Sequence, residues 1–173
     1  MPKDSIAGLP ITRSRFLTLT GTLALAATLP ACSREAAPYS QFLLIDGSQT
    51  STRALRGQVA LVNFWATSCS PCVAEMPQLA ATYQKFRDRG YETLAVAMRY
   101  DKPEYITRFA QQRALPFMVA YDHDGQAARA WGNVRVTPTT FLLNKRGEIV
   151  KRFVGQPNFG ALEALIEKLL AET

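Results

Sequence analysis

Residues 59 to 65, VALVNFW, are apolar at every position but Asn63, and the cysteine pair of Cys69-Ser70-Pro71-Cys72 begins four residues further on. A run this continuous lacks the polar alternation of a half-exposed strand, so it is expected as a strand covered on both faces. Covering both faces requires helices above and below a sheet, and the 173 residues with 47% hydrophobic content supply enough for one such domain. Residues from Ser70 to about Arg89 are expected as a helix. The two cysteines therefore stand where a buried strand hands over to a helix.

The rest of the chain keeps the same rhythm. ETLAVAM at 92 to 98 is expected as a strand, and Asp101 as the cap of a helix running to about Gln112, with Pro103 tolerated in its first turn. MVAYD at 118 to 122 returns as a strand, followed by a turn at His123-Asp124-Gly125 and a short helix to Trp131. TFLLN, the turn KRG and EIVKRFV then read as a hairpin. Leu162, Leu165, Ile166 and Leu169 stripe a closing helix behind an Asn158 cap. Alternating strands and helices make the fold class α/β.

Residues 1 to 31 read as an export signal rather than as part of the domain. Lys3, Arg13 and Arg15 precede the apolar run FLTLTGTLALAATL at 16 to 29, which falls short of the ~20 apolar residues a spanning helix needs. Leu29-Pro30-Ala31-Cys32 resembles a bacterial lipobox, in which the cysteine is lipidated and becomes the new N-terminus, with Pro30 unusual at its position. Arg13-Ser14-Arg15-Phe16-Leu17 resembles a twin-arginine signal with Ser14 in place of the second arginine, which favours the general export route. The boundaries are thus a signal peptide over 1 to 31, a linker over 32 to 40 and one domain over 41 to 173. Removing residues 1 to 31 leaves 17 basic and 13 acidic residues, a net charge of +4. These charges are spread along the sequence, and no basic run marks a nucleic-acid partner.

A Cys-X-X-Cys pair admits three readings: a metal clip, a structural staple or a working redox couple. A structural zinc site closes a tetrahedron of ligands, and beyond this pair the chain offers only Cys32 and its single histidine, His123. A disulfide across two residues closes almost no loop and stabilises little. The redox reading fits the placement. The free N–H groups and positive end of a helix dipole stabilise a thiolate there, and the thiolate is the nucleophile of disulfide exchange. On this reading Cys69, at the helix end, is the exposed attacker, and Cys72, within the first turn, is the shielded resolver.

WATSCSPCVAEMP at 65 to 77, together with VTPTTFLLNKRGEIVKRFVG at 136 to 155, resembles the TlpA and ResA-like branch of the thioredoxin superfamily over roughly residues 40 to 171. The resemblance implies a thioredoxin-like fold: a central mixed sheet flanked by helices, with an extra strand-helix insertion at 92 to 122. It also implies an exported, often membrane-tethered protein-disulfide oxidoreductase that acts as a reductase, as in cytochrome c maturation or preparation of copper sites. No cofactor beyond the redox-active disulfide is implied. The partners would be an oxidised protein substrate, an upstream thiol-disulfide electron donor in the membrane, and the membrane itself through lipid at Cys32.

Carried over by position, Cys69 and Cys72 match the redox pair, and Pro138 matches a cis-proline facing it across a substrate groove. Thr137 offers its backbone to the substrate peptide, and Ser70, Pro71 and Trp65 join the substrate-contacting set, Trp65 as groove wall or core. Glu75 matches a carboxylate that assists proton movement at the buried thiol. From the residues alone Glu75 reads equally as a first-turn charge complementing the helix dipole. Asn63 stands where thioredoxins proper have a buried aspartate, and Ser68 replaces a tryptophan common in relatives.

Two alternatives accompany this reading. A thiol peroxidase of the peroxiredoxin type needs Thr or Ser where Ala66 stands, and a copper-binding module would add a distal ligand such as His123 to the cysteine sulfurs. Between Trp65 and Gln78 there is no Lys, Arg or His and the one charge is Glu75, so Cys69 is expected to titrate at or above the thioredoxin range of about 7.

Overall fold

The run Val59–Trp65 is a strand buried at all seven positions, and it lies inside a seven-stranded mixed sheet. The structure is a computed structural model, and it describes residues 34 to 172. The expected signal peptide and Cys32 lie outside the described residues. In chain order the elements are β1 (Gln41–Leu44), β2 (Gln49–Ser51), β3 (Val59–Trp65), α1 (Ser70–Phe86), β4 (Tyr91–Ala97) and α2 (Pro103–Gln112). There follow β5 (Met118–Tyr121), α3 (Gln126–Ala130), β6 (Thr139–Leu143), β7 (Ile149–Val154) and α4 (Phe159–Ala171).

The sheet order is β2-β1-β5-β4-β3-β6-β7. β3, β4 and β5 run parallel, and the remaining pairs are antiparallel. Residues of β3 alternate between two cores. Val59, Leu61 and Trp65 pack with Met76 and Leu79 of α1, Ile106 of α2, and Leu162 and Ile166 of α4. Ala60, Val62 and Phe64 face the other side with Ala127 and Ala128 of α3, Trp131 and Phe141. Trp131 lies in van der Waals range of both Phe64 and Phe141, and its indole N–H donates to Ser40 Oγ at 3.1 Å, which satisfies its one polar atom. This is the α/β, thioredoxin-like arrangement of a mixed sheet between helices.

Local chemistry explains most boundaries, and some differ from expectation. Asn158 caps α4 as expected, accepting from Ala161 N at 2.9 Å. α1 ends at Phe86, and the residues to Arg89 form a 3-10 turn closed by Gly90 at φ 87°. Asp101 does not cap α2: Lys102 holds that position without a side-chain bond, because the Asp101 carboxylate is committed elsewhere. The hairpin β1–β2 was not anticipated, although Asp46-Gly47 is a strong hairpin turn, with Gly47 at φ 85° and Asp46 Oδ1 accepting from Ser48 N at 2.9 Å. The stretch expected as a linker is bound to the sheet from Glu35 onward. Ile149 N donates to Glu35 O at 2.7 Å and Ala37 N to Gly147 O at 2.9 Å, bridging Ala36 to Glu148 at the outer edge of β7.

Candidate active site

β3 ends at Trp65, and the chain turns sharply before α1. Cys69 N donates to Ala66 O at 3.1 Å, which aims Cys69 into the helix N-terminus, where it is the capping residue. Its Sγ accepts from Cys72 N at 3.3 Å, satisfying one of the N–H groups a helix leaves free. Pro71 fits the first turn because it lacks the N–H that would go unpaired there. Cys69 is half-buried between exposed Ser68, Ser70 and Pro71, whereas Cys72 is 0% exposed. The two sulfurs are bonded at 2.08 Å. One sulfur is therefore within reach of a partner, and the other is shielded behind it.

The antiparallel register of β6 against β3 pairs Thr139 with Phe64, so the residue before it, Pro138, lies level with the end of β3. Its peptide bond with Thr137 is cis. Gly155 N donates to Pro138 O at 2.8 Å, and Thr139 Oγ1 to Val136 O at 2.7 Å, fixing this loop from both sides. Gln156 Nε2 donates to Pro71 O at 2.9 Å, joining the loop after β7 to the start of α1. Thr137 remains half-buried and Val136 exposed. Cys69, Ser70, Pro71, Thr137 and Pro138 are thus gathered at one end of the sheet.

Trp65 does not join them at the surface. Its side chain is 0% exposed and packs on Phe109 of α2 at 5.2 Å between ring centroids. The reason is register: Trp65 shares with Val59 and Leu61 the β3 face that α1 and α2 cover, so it is a core residue rather than a groove wall.

Glu75 also departs from the simpler expectation. It falls in the second turn of α1, not the first, and is 0% exposed. Its Oε1 accepts from Asn63 Nδ2 at 2.9 Å, and the same amide nitrogen donates to Thr140 Oγ1 at 2.9 Å. Glu75 Oε2 and Asn63 Oδ1 have no partner. Burial raises the carboxyl to about 7, against the opposing bond from Asn63, because the ionised form loses its hydration there. Glu75 is therefore no helix-end charge. Near neutral pH it is poised between the acid and the carboxylate, so the steady negative charge expected beside the cysteines is present only above about pH 7.

Asp101 has a part that the sequence did not show. Its carboxylate, 7% exposed, accepts from Thr67 N at 2.5 Å, Thr67 Oγ1 at 2.6 Å and Lys102 N at 3.0 Å. Thr67 stands between β3 and Cys69, so the end of β4 holds the turn that carries the cysteine. In the same loop, Tyr100 Oη lies 3.4 Å from Thr137 Oγ1. Thr67 and Asp101 are 34 residues apart and meet only because β3 and β4 run parallel in register, Trp65 beside Ala97. His123 lies in the turn after β5, with Asp124 3.9 Å from its ring. Among the described residues no group of three or more His, Cys, Asp or Glu is arranged to hold a metal ion.

Comparison with known proteins gives the same answer as the geometry. The Redoxin family profile matches residues 25–166. The thiol-disulfide oxidoreductase ResA of Halalkalibacterium halodurans is 34% identical over 127 residues, covering 73% of this chain and 68% of the relative. ResA of Geobacillus kaustophilus is 33% identical over 130 residues, 74% of each chain. Among solved structures, a putative thioredoxin from Neisseria meningitidis superposes with a TM-score of 0.75 at 35% identity, over 82% of this chain and 93% of that one. A putative thiol:disulfide interchange protein DsbE from Chlorobium tepidum gives 0.74 at 29% identity, over 80% and 97%. With a Cys-X-X-Cys disulfide at the head of α1 and relatives of this identity and coverage, the chain belongs to the Redoxin family and is a ResA-like protein-disulfide oxidoreductase of the thioredoxin superfamily.

Proposed function

We propose that the protein works outside the cytoplasm as a reductant of protein disulfides. The observation that supports this most is the asymmetry of the pair: half-buried Cys69 at a helix N-terminus, fully buried Cys72, and a protonatable Glu75 behind them instead of a cation. In the reduced protein the Cys69 thiolate attacks one sulfur of a substrate disulfide, forming a mixed disulfide and releasing the other substrate sulfur as a thiolate. Cys72 then gives up its proton and attacks Cys69 Sγ. The Cys69–Cys72 bond forms, the mixed disulfide breaks, and the substrate leaves as a dithiol carrying the two electrons and, from solvent, its protons. Glu75, with a carboxyl near about 7, is the group suited to take the proton from Cys72 and return it when the pair is reduced again. Ser70, Pro71, Thr137 and Pro138 line the contact with the substrate chain, and the backbone of Thr137 is its hydrogen-bonding rail.

A membrane thiol-disulfide donor resupplies the electrons, and Cys32 carries the lipid that keeps the domain beside it. Cytochrome c maturation and copper-site assembly are the settings in which such a reductant serves. The test is to challenge reduced Cys72→Ser and Cys69→Ser variants with a disulfide-bonded protein. Cys72→Ser accumulates a mixed disulfide through Cys69, and Cys69→Ser accumulates none. Accumulation in Cys69→Ser alone would reverse the roles, and accumulation in neither would remove the reaction.

A further inference from the structure

Among the described residues, the Asp101 carboxylate is the acidic group outside α1 that accepts hydrogen bonds from the turn carrying Cys69, and nothing in the reaction as described uses it. It spends two of its bonds on a single residue, taking both the backbone N–H and the hydroxyl of Thr67, and it is almost wholly buried. Two effects follow from that arrangement. The first is geometric: with Cys69 N bonded to Ala66 O, the Thr67 anchor leaves the chain between β3 and α1 one path. The second is electrostatic. Thr67 is two residues before Cys69, and chain dimensions keep the carboxylate within roughly 12 Å of the sulfur. A negative charge there opposes the helix end that favours a thiolate.

We propose that Asp101 is a positioning residue for Cys69 that also holds down the Cys69 thiolate, keeping the couple reducing. This rests on Cys69 being the attacking sulfur. It supplies what the sequence reading sought in Glu75: a negative charge held beside the turn independently of the buried acid. The charged residues nearest Asp101 and Cys69 along the chain are Glu75 on α1, Arg99 in the loop after β4, and Lys102 and Glu104 at the start of α2. Lys102 is drawn away, its ammonium standing 5.4 Å over the Tyr105 ring.

The test is the pH titration of Cys69 thiolate absorbance in the reduced full chain, for wild type, Asp101→Asn and Thr67→Val, with alkylation identifying the sulfur that titrates. Asp101→Asn removes the charge, and the acid dissociation constant of Cys69 should rise about three- to tenfold, which raises the thiolate fraction at neutral pH and moves the potential toward the oxidants. Thr67→Val removes one donor but keeps the charge, now less neutralised, so its thiolate fraction should fall. An unchanged or lower thiolate fraction in Asp101→Asn would overturn the proposal. So would a rise in Thr67→Val, since loosening of the turn would then account for both variants. If Asp101→Asn does not fold, the direction in Thr67→Val still decides. Alkylation of Cys72 in place of Cys69 would instead overturn the assignment of the attacking sulfur.

Discussion

Replacing Glu75 by Gln should flatten the dependence of stability on pH. In the unfolded chain this carboxyl loses its proton above its ordinary value of 4.5, while in the fold burial holds the proton until about 7. Across that window the unfolded state binds fewer protons than the folded one, so stability falls as pH rises and levels out above about 7. Each pH unit is worth about 1.4 kcal/mol, which sets a ceiling of about 3 kcal/mol for the whole interval. Glu75→Gln keeps the Oε1 acceptor for Asn63 but places an amide N–H₂ where Oε2 has no partner, a cost of about 1–3 kcal/mol that does not vary with pH. The slope therefore separates the two effects. The assay is urea unfolding of the oxidised proteins, in which neither cysteine titrates, at intervals from about pH 4.5 to about 8. The difference between wild type and variant should shift steadily in favour of the variant up to about pH 7. Parallel curves would refute the buried, proton-holding carboxyl and with it the proton role proposed for Glu75.

Two further outcomes are open to direct measurement. Leu162 is fully buried where α4 covers β3, so Leu162→Ala should cost about 2–5 kcal/mol in urea unfolding, and a loss below about 1 kcal/mol would mean that α4 does not seal that core. Mass spectrometry of the membrane fraction should find a mature chain that begins at an acylated Cys32, and an intact Met1 or an unmodified Cys32 would remove the anchor.

The parts of the site legible in the sequence were those written locally. The continuous apolar run of β3 and the cysteines four residues on need only periodicity and helix-end chemistry to be placed. The cis bond before Pro138 was visible only through the resemblance to the ResA-like oxidoreductases. What was missed depends on register between distant segments. Asp101 looked like a helix cap because it precedes Pro103, and only the parallel pairing of β3 with β4 carries it to Thr67. Glu75 read equally as a first-turn charge and as a carboxylate serving the buried thiol, and only Asn63 of β3 and Thr140 of β6, paired across the sheet, show that it faces inward. Trp65 was legible in principle: it alternates with Asn63 and Leu61, which puts it on the face that α1 covers.

The direction of electron flow is the central claim, and the reduction potential of the Cys69–Cys72 couple tests it most directly. Equilibration of the full chain against glutathione redox buffers, read by alkylation of the free thiols, yields that value. Strong oxidants of this fold pair a thiol near about 3.5 with a potential of about −120 mV, whereas thioredoxin combines about 7 with about −270 mV. A couple without a neighbouring cation in its own turn, with Asp101 opposing the thiolate, should fall near the thioredoxin value and stay oxidised in buffers that fully reduce the oxidants. A potential near that of the oxidants would contradict the account and make this protein a donor of disulfides instead of electrons.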